Sequence, residues 1–343
     1  MNAAHPFTLH HDRKTSPYVG HSRSKGWEAR IANAISFPAG PVEVGGSCPG
    51  ASMRLAGPDA GHGPCDSCYF ERMTGPYGAV ESMSVRNMAA AESLIAAGGA
   101  LALADAFSAA VGEMVAKVDR YRARTGRDIR PMWRWMSGGD IWREDVALAI
   151  AITAERFPGV PMWCPTRSFI PGADHARELI AAARTLPNLK VSLSVDAWNV
   201  DHAVRYLTRC PWVAFAHLDD GTEAERATAA RLADVTGRRA LPCPATGKWA
   251  HDGHGSSFVV PFTGRRADMA TASDAMGACA RCTACYGTTG VQDVSFSMHG
   301  GAPSASTFRR KIRRAVRVTV IVGDAVPVPV PVSAPVRRVV PVA

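Results

Sequence analysis

Apolar and polar positions along the chain change period several times, and those changes mark its elements. Residues 1–30 are polar and rich in His and Arg, which predicts an irregular arm. The apolar run 32–38 predicts a short first strand that leads into a Gly-rich segment. From 78 to 124, Ala, Leu, Met and Val recur at three- and four-residue intervals, the period of a helix packed along one face. Thr125 and Gly126 end it in a turn.

The chain then alternates. Strands are predicted at 131–136, 160–164, 190–195, 212–217 and 239–243, with helices at 145–156, 174–185, 200–207 and 223–236 between them. A later apolar stretch, 294–298, adds a further strand candidate. Strands separated by helices of about ten residues predict repeated βαβ units and a parallel sheet, and so an α/β fold. Six such strands fit a partial or full (β/α) barrel, with chemistry at the C-terminal ends of its strands; a doubly wound open sheet is the competing topology.

From about residue 326 alternate prolines remove the ladder donors, so 325–343 is expected to be an extended, disordered Pro/Val-rich tail. These signals divide the chain into an irregular arm (1–30), a barrel-like core (31–243), a Cys-rich extension (244–300), a basic segment (301–324) and the tail.

Composition narrows the classes. Of 343 residues, 47% are hydrophobic, enough for a large core that needs no metal to rescue it. The Ala-rich run 89–110 comes nearest to a membrane span, but Glu92 and Asp105 interrupt it, so no membrane is expected. The opening residues lack the apolar segment of a secretory signal, so a cytoplasmic location is expected. In that compartment a chain with nine cysteines is expected to use them as thiolate ligands in preference to disulfides. The formal charge is +9, and much of the excess lies in 308–317. That run reads either as a solvated helix face or as an arm contacting nucleic-acid phosphates.

The cysteines form two groups. Cys48, Cys65 and Cys68 lie near the front, and Cys243, Cys279, Cys282 and Cys285 near the back, each group with a C-x-x-C step in a turn. That step lets two thiolates converge on one metal centre. Three ligands leave a coordination position open for chemistry, whereas four close the shell, as for zinc (Zn2+) or a 4Fe–4S cluster.

Polar groups recur at predicted strand ends: Ser137-Gly138-Gly139-Asp140, Pro165-Thr166-Arg167-Ser168, Ser194 with Asp196, and His217 with Asp219 and Asp220. Each has a plainer reading. Asp140 can cap the next helix, Arg167 can pair with a surface carboxylate, and His217 can be a satisfied strand-end histidine. Cys164 and Cys210 read as buried structural thiols, and His251 and His254 have ligand-like spacing in a Gly-rich loop.

Cys48-Pro49-Gly50, Cys65-x-x-Cys68-Tyr69, Tyr77, the Ser-Gly-Gly-Asp turn, Pro-Thr-Arg-Ser and the late cysteine run resemble the actinobacteriophage gene-product-88-like family over about residues 30–300. That resemblance implies a bacteriophage protein, acting in the host cytoplasm. The arrangement is more distantly similar to radical S-adenosylmethionine enzymes. It departs from them in the sixteen residues between Cys48 and Cys65, in Tyr69 following the last cysteine, and in Asp140 for the usual Glu.

The second resemblance implies that Cys48, Cys65 and Cys68 hold a catalytic 4Fe–4S cluster whose open iron takes S-adenosylmethionine. Gly138, Gly139 and Asp140 would contact that cofactor's amino group, with Asp140 as acceptor. Arg167, Ser194, Asp196 and His217 would serve substrate or cofactor, and the rear four cysteines would hold an auxiliary cluster. An electron-donor protein and an unknown, nucleic-acid-related substrate would be the partners. Two rivals remain: a zinc-stabilised nucleic-acid-binding protein without catalysis, with His62 as a fourth ligand, and a degenerate cluster-bearing scaffold.

Overall fold

The computed structural model describes residues 5–12, 31–51, 68, 70, 78–126, 129–219, 222–242, 284–286 and 293–297. The chain divides into two compact units, Met1–Ala305 and Ser306–Ala343, and every described residue belongs to the first. The basic run 308–317 and the Pro/Val-rich tail lie outside the described residues.

The fold is α/β, built on a parallel sheet curled into part of a barrel. Its strands are β1 (Trp133–Arg134), β2 (Met162–Thr166), β3 (Leu189–Val195), β4 (Ala214–Asp219), β5 (Leu241–Pro242) and β6 (Val294–Ser297), in spatial order β1-β2-β3-β4-β6-β5. The first four lie side by side in chain order, as successive right-handed βαβ units place them, without the reversal of a doubly wound sheet. The late strand β6 enters between β4 and β5. Asp293, just ahead of β6, fixes that insertion: its buried carboxylate accepts from Phe215 N at 2.8 Å and from Arg238 Nε at 2.6 Å.

Helix α1 (Gly78–Thr125) is broken at Gly98 and Gly99, the latter at φ +64°, a conformation glycine adopts without strain. By length and composition α1 is apolar enough to cross a membrane. Its Leu103, Phe107, Val111, Met114 and Val118 are nonetheless fully buried in the protein core. Four shorter helices follow: α2 (Glu144–Arg156), α3 (Arg177–Ala182), α4 (Val200–Arg209) and α5 (Glu223–Thr236). Thr222 caps α5, accepting from Glu225 N, and Gly237 at φ +64° ends it.

Period-two alternation gives the two sheet faces different chemistry. Met162, Cys164, Val191, Leu193, Val195 and Phe215 join the helix-packed core. Each such buried aliphatic or aromatic side chain contributes roughly 1.5–3 kcal/mol. Arg134, Trp163, Lys190, Ser192 and Ser194 alternate with them on the opposite face.

The segments along the β1 edge differ from the sequence expectation for physical reasons. The second strand is two residues long rather than six, because buried Met136 takes φ +47° and turns the backbone out of the ladder. The segment expected as the first strand makes isolated bridges at Ala34, antiparallel to His10 and parallel to Arg134. It follows β1 upward, with Phe37 N donating to Gly138 O at 2.9 Å. Residues 5–12, within the expected irregular arm, pack on this edge: Phe7 lies 5.2 Å from Phe107 and Asp12 pairs with Arg134.

Candidate functional site

The C-terminal ends of β1 to β4 carry one connected polar network. Asp140, in the turn after β1, is buried, and both its oxygens are engaged. Oδ1 accepts from Thr166 Oγ1 at 2.6 Å and from Ile141 N at 2.8 Å, and Oδ2 accepts from Arg167 N at 2.7 Å. Burial pushes its pKa up, and these three donors oppose the shift. Asp140 therefore ties the end of β1 to the end of β2. It does not cap α2, whose N-cap position is Arg143, with no side-chain cap hydrogen bond.

Arg167 continues the network. Its Nη1 donates to Asp196 Oδ2 at 2.8 Å, an ion pair only 15% and 2% exposed at its two side chains. The partner is thus a buried carboxylate at the end of β3, not a surface one. The other Asp196 oxygen accepts from Trp198 N and Asn199 N, folding the turn that starts α4. Ala197 N, in the same turn, donates to Glu225 Oε1 at 3.1 Å, and Glu225 Oε2 meets His217 Nε2 at 3.0 Å. His217 is accordingly a strand-end histidine with a buried carboxylate partner. Ser194 is half-buried, and its carbonyl accepts from Asn199 Nδ2 at 3.0 Å.

The front cysteine loop lands on this network. A Cβ on Gly139, which sits at φ +80°, would stand 2.2 Å from Ser47 Oγ, and one on Gly138 would stand 2.3 Å from the Phe70 ring. Ser47 Oγ also accepts from Asp140 N at 3.1 Å. Gly50 packs near the stem of Arg167, its Cβ position 3.6 Å away. Ser47 precedes Cys48, and Phe70 follows Cys68 by two residues, so a neighbour of each of these half-buried cysteines rests on the same Gly-Gly turn. The two glycines serve the close approach of protein to protein there. Cys65, Tyr69, Tyr77 and His62 lie outside the described residues.

Of the rear group, Cys243, Cys279 and Cys282 lie outside the described residues, as do His251, His254 and Asp220; of Asp219 only the backbone is described. Cys285 is buried in a 3-10 turn, Ala284–Tyr286. Tyr286 beside it packs on Trp163 with ring centroids 6.2 Å apart, which sets this turn on the polar face of the sheet. Lys190 on that face is buried, its pKa pulled from 10.5 to about 8 chiefly by burial, with the charges of Asp293 and Cys285 opposing. Burial likewise raises the pKa values of Cys164 and Cys210. Among the described residues no three His, Cys, Asp or Glu side chains gather around a common metal position.

Sequence reasoning missed Ser47, Phe70, Lys190, Glu225 and Asp293. Glu225 carried a readable signal, since Thr222-x-x-Glu225 has the spacing of a capping box. Its side chain turns instead to His217 and Ala197. The other four depend on contacts between distant segments.

No curated protein and no solved structure matches the chain. Over residues 9–288 it matches the model of the family described as gene product 88, and the chain belongs to that family.

Proposed function

We propose that the chain is an iron–sulfur enzyme of the radical S-adenosylmethionine type, with Cys48, Cys65 and Cys68 holding a 4Fe–4S cluster. The observation that supports it best is the docking of both described front-cysteine segments on the Gly138–Gly139 turn, at the C-terminal ends of a parallel half-barrel. That end of such a sheet is where ligands bind in related architectures. Half-buried thiols fit a cluster, which thiolates ligate. When bound, such a cluster supplies the electron that cleaves the sulfonium co-substrate.

The chain's own residues position and enclose. Asp140 does not fit the role of amino-group acceptor, because three donors of its own chain already occupy its oxygens. It acts as a positioning residue that fixes the backbone of Arg167. Arg167, with Asp196 beside it, offers a guanidinium for a carboxylate or phosphate of the bound molecules. His217 and Ser194 complete the strand-end set, and the helix-packed layer behind them excludes water. The rear quartet, with Cys285 buried on the polar face, is assigned to a second cluster.

Anaerobic purification followed by iron, sulfide and zinc analysis tests the proposal, with reductive cleavage of S-adenosylmethionine as the second readout. Iron and sulfide together with cleavage that is lost in Cys65→Ala support it. Iron without cleavage removes the enzymatic half and leaves a cluster-bearing scaffold. Zinc in both sites overturns the proposal in favour of a zinc-stabilised binding protein.

A further inference from the structure

The opposite end of the sheet has a different character. In a βαβ layer the helices run against the strands, so helix C-termini and strand N-termini share one rim. An exposed arginine stands at each of the five helix-to-strand turns: Arg130 ahead of β1, Arg156 ahead of β2, Arg184 ahead of β3, Arg209 ahead of β4 and Arg239 ahead of β5. The strand order sets these turns in one line, with β6 between the last two. At about 4.8 Å between neighbouring strands, the row spans roughly 24 Å.

Carboxylates gather at the other end, where Glu144, Asp145, Glu178, Asp201 and Glu223 open their helices. Four exposed acids, Asp105, Asp119, Glu155 and Asp234, fall near the arginine rim; Asp105 pairs with Arg156 and Asp119 with Arg122.

The plain explanation is that cations offset helix dipoles. It accounts for Arg156 and Arg209, which lie in last turns. It does not account for the rest. α3 and α5 carry no basic residue in their last turns, yet an exposed arginine follows each, and Arg130 lies beyond the end of α1. Arg156 is engaged with Asp105 at 2.7 Å, so the row's strength rests on the other four. The Arg184 guanidinium lies over the Trp212 ring at 5.3 Å. Stacking of that kind holds the fork in place while its N–H groups remain suited to bidentate contact with phosphate oxygens.

We propose that this arginine row is a docking surface for the phosphodiester backbone of a nucleic acid. It lies on the rim opposite the strand-end site and does not depend on whether a cluster forms there. Recognition is by charge and spacing, so it is indifferent to base sequence.

The test is binding of a labelled oligonucleotide, single- and double-stranded, to the full chain across a KCl series. The variant carries Arg130→Gln, Arg184→Gln, Arg209→Gln and Arg239→Gln together. Four lost phosphate contacts should flatten the slope of log K against log salt by about 3.6 for a duplex or about 2.8 for a single strand. Near 0.1 M salt that amounts to an affinity loss on the order of 10³-fold. The matching four-lysine variant should keep most of the slope, and an unchanged far-UV spectrum shows that the fold survives.

A second protein, with the basic run 308–317 neutralised, separates the two basic surfaces. If it loses all binding while the glutamine variant binds as wild type, the proposal fails. It also fails if the unmodified chain binds neither oligonucleotide, or binds with a slope that the glutamine variant leaves unchanged.

Discussion

Replacing Asp140 tests whether the turn after β1 is a strut or a cofactor contact. In Asp140→Ala, Thr166 Oγ1, Arg167 N and Ile141 N each lose their acceptor in a buried site. A buried donor left unsatisfied costs about 1–3 kcal/mol, which sums to roughly 3–9 kcal/mol. Removing a carboxylate whose burial already raises its pKa returns part of that, so a net loss of about 3–5 kcal/mol is expected.

Asp140→Asn keeps one acceptor oxygen for the two donors on Oδ1 but sets an amide against Arg167 N–H, and should cost about 1–3 kcal/mol. The pH dependence has a definite sign. The folded pKa of Asp140 lies above its ordinary 3.8, so the group favours the folded state most when protonated. That contribution is full below pH 3.8 and is lost as pH rises through the folded pKa. The gap between wild type and Asp140→Asn in urea unfolding should therefore narrow from pH 4 to pH 7. A loss of under about 1 kcal/mol for Asp140→Ala, or a gap that widens with pH, would refute the strut and return the carboxylate to ligand binding.

Three further outcomes follow from the same geometry. Gly139→Ala meets both left-handed strain and the 2.2 Å approach to Ser47, so it should cost about 2 kcal/mol or more and speed alkylation of Cys48; unchanged labelling would show that the loop does not rest there. Arg167→Met leaves Asp196 buried beside no cation, at a cost of about 3–5 kcal/mol; Asp196→Asn on that background should recover much of it, and additivity of the two would count against the pair. Burial lowers the pKa of His10 from 6.5 to about 4, so native stability should fall as pH drops from 6.5 towards 4, when the unfolded chain takes up the proton first. His10→Gln should flatten that limb in thermal melts across the same range, and an identical limb in the variant would assign it elsewhere.

The βαβ rhythm was legible because local signals carried it. A β-branched run marked β3, three- and four-residue apolar spacing marked α1, and a Pro-Gly step stopped α2. Errors arose where a distant contact decided the outcome. β2 runs two residues past its predicted end, through Pro165. That is tolerated because the β1 ladder stops at Arg134, opposite Trp163, short of the missing N–H. Nothing local announced Met136 at positive φ, which cuts β1 short.

At the site, the residue types and their strand-end positions were readable, and their partners were not. Asp140, Arg167, Asp196 and His217 were each visible alone. That they form one chain depends on Glu225, which arrives from the helix after β4.

That chain bears on what Arg167 can do. Its backbone N–H is held by Asp140 and its guanidinium by Asp196, while the turn carrying Asp196 is held in turn by Glu225 and His217. A free arginine side chain carries about 2 kcal/mol of rotamer entropy that a ligand must remove on binding. Here the fold has already removed most of it, from both ends of the residue. The guanidinium plane is thereby set beside Asp196 before any ligand arrives. Preorganisation of this kind raises affinity without adding a contact. On the proposed reading, that is what the bonds among the four strand ends add to the hydrophobic layer that already joins the strands.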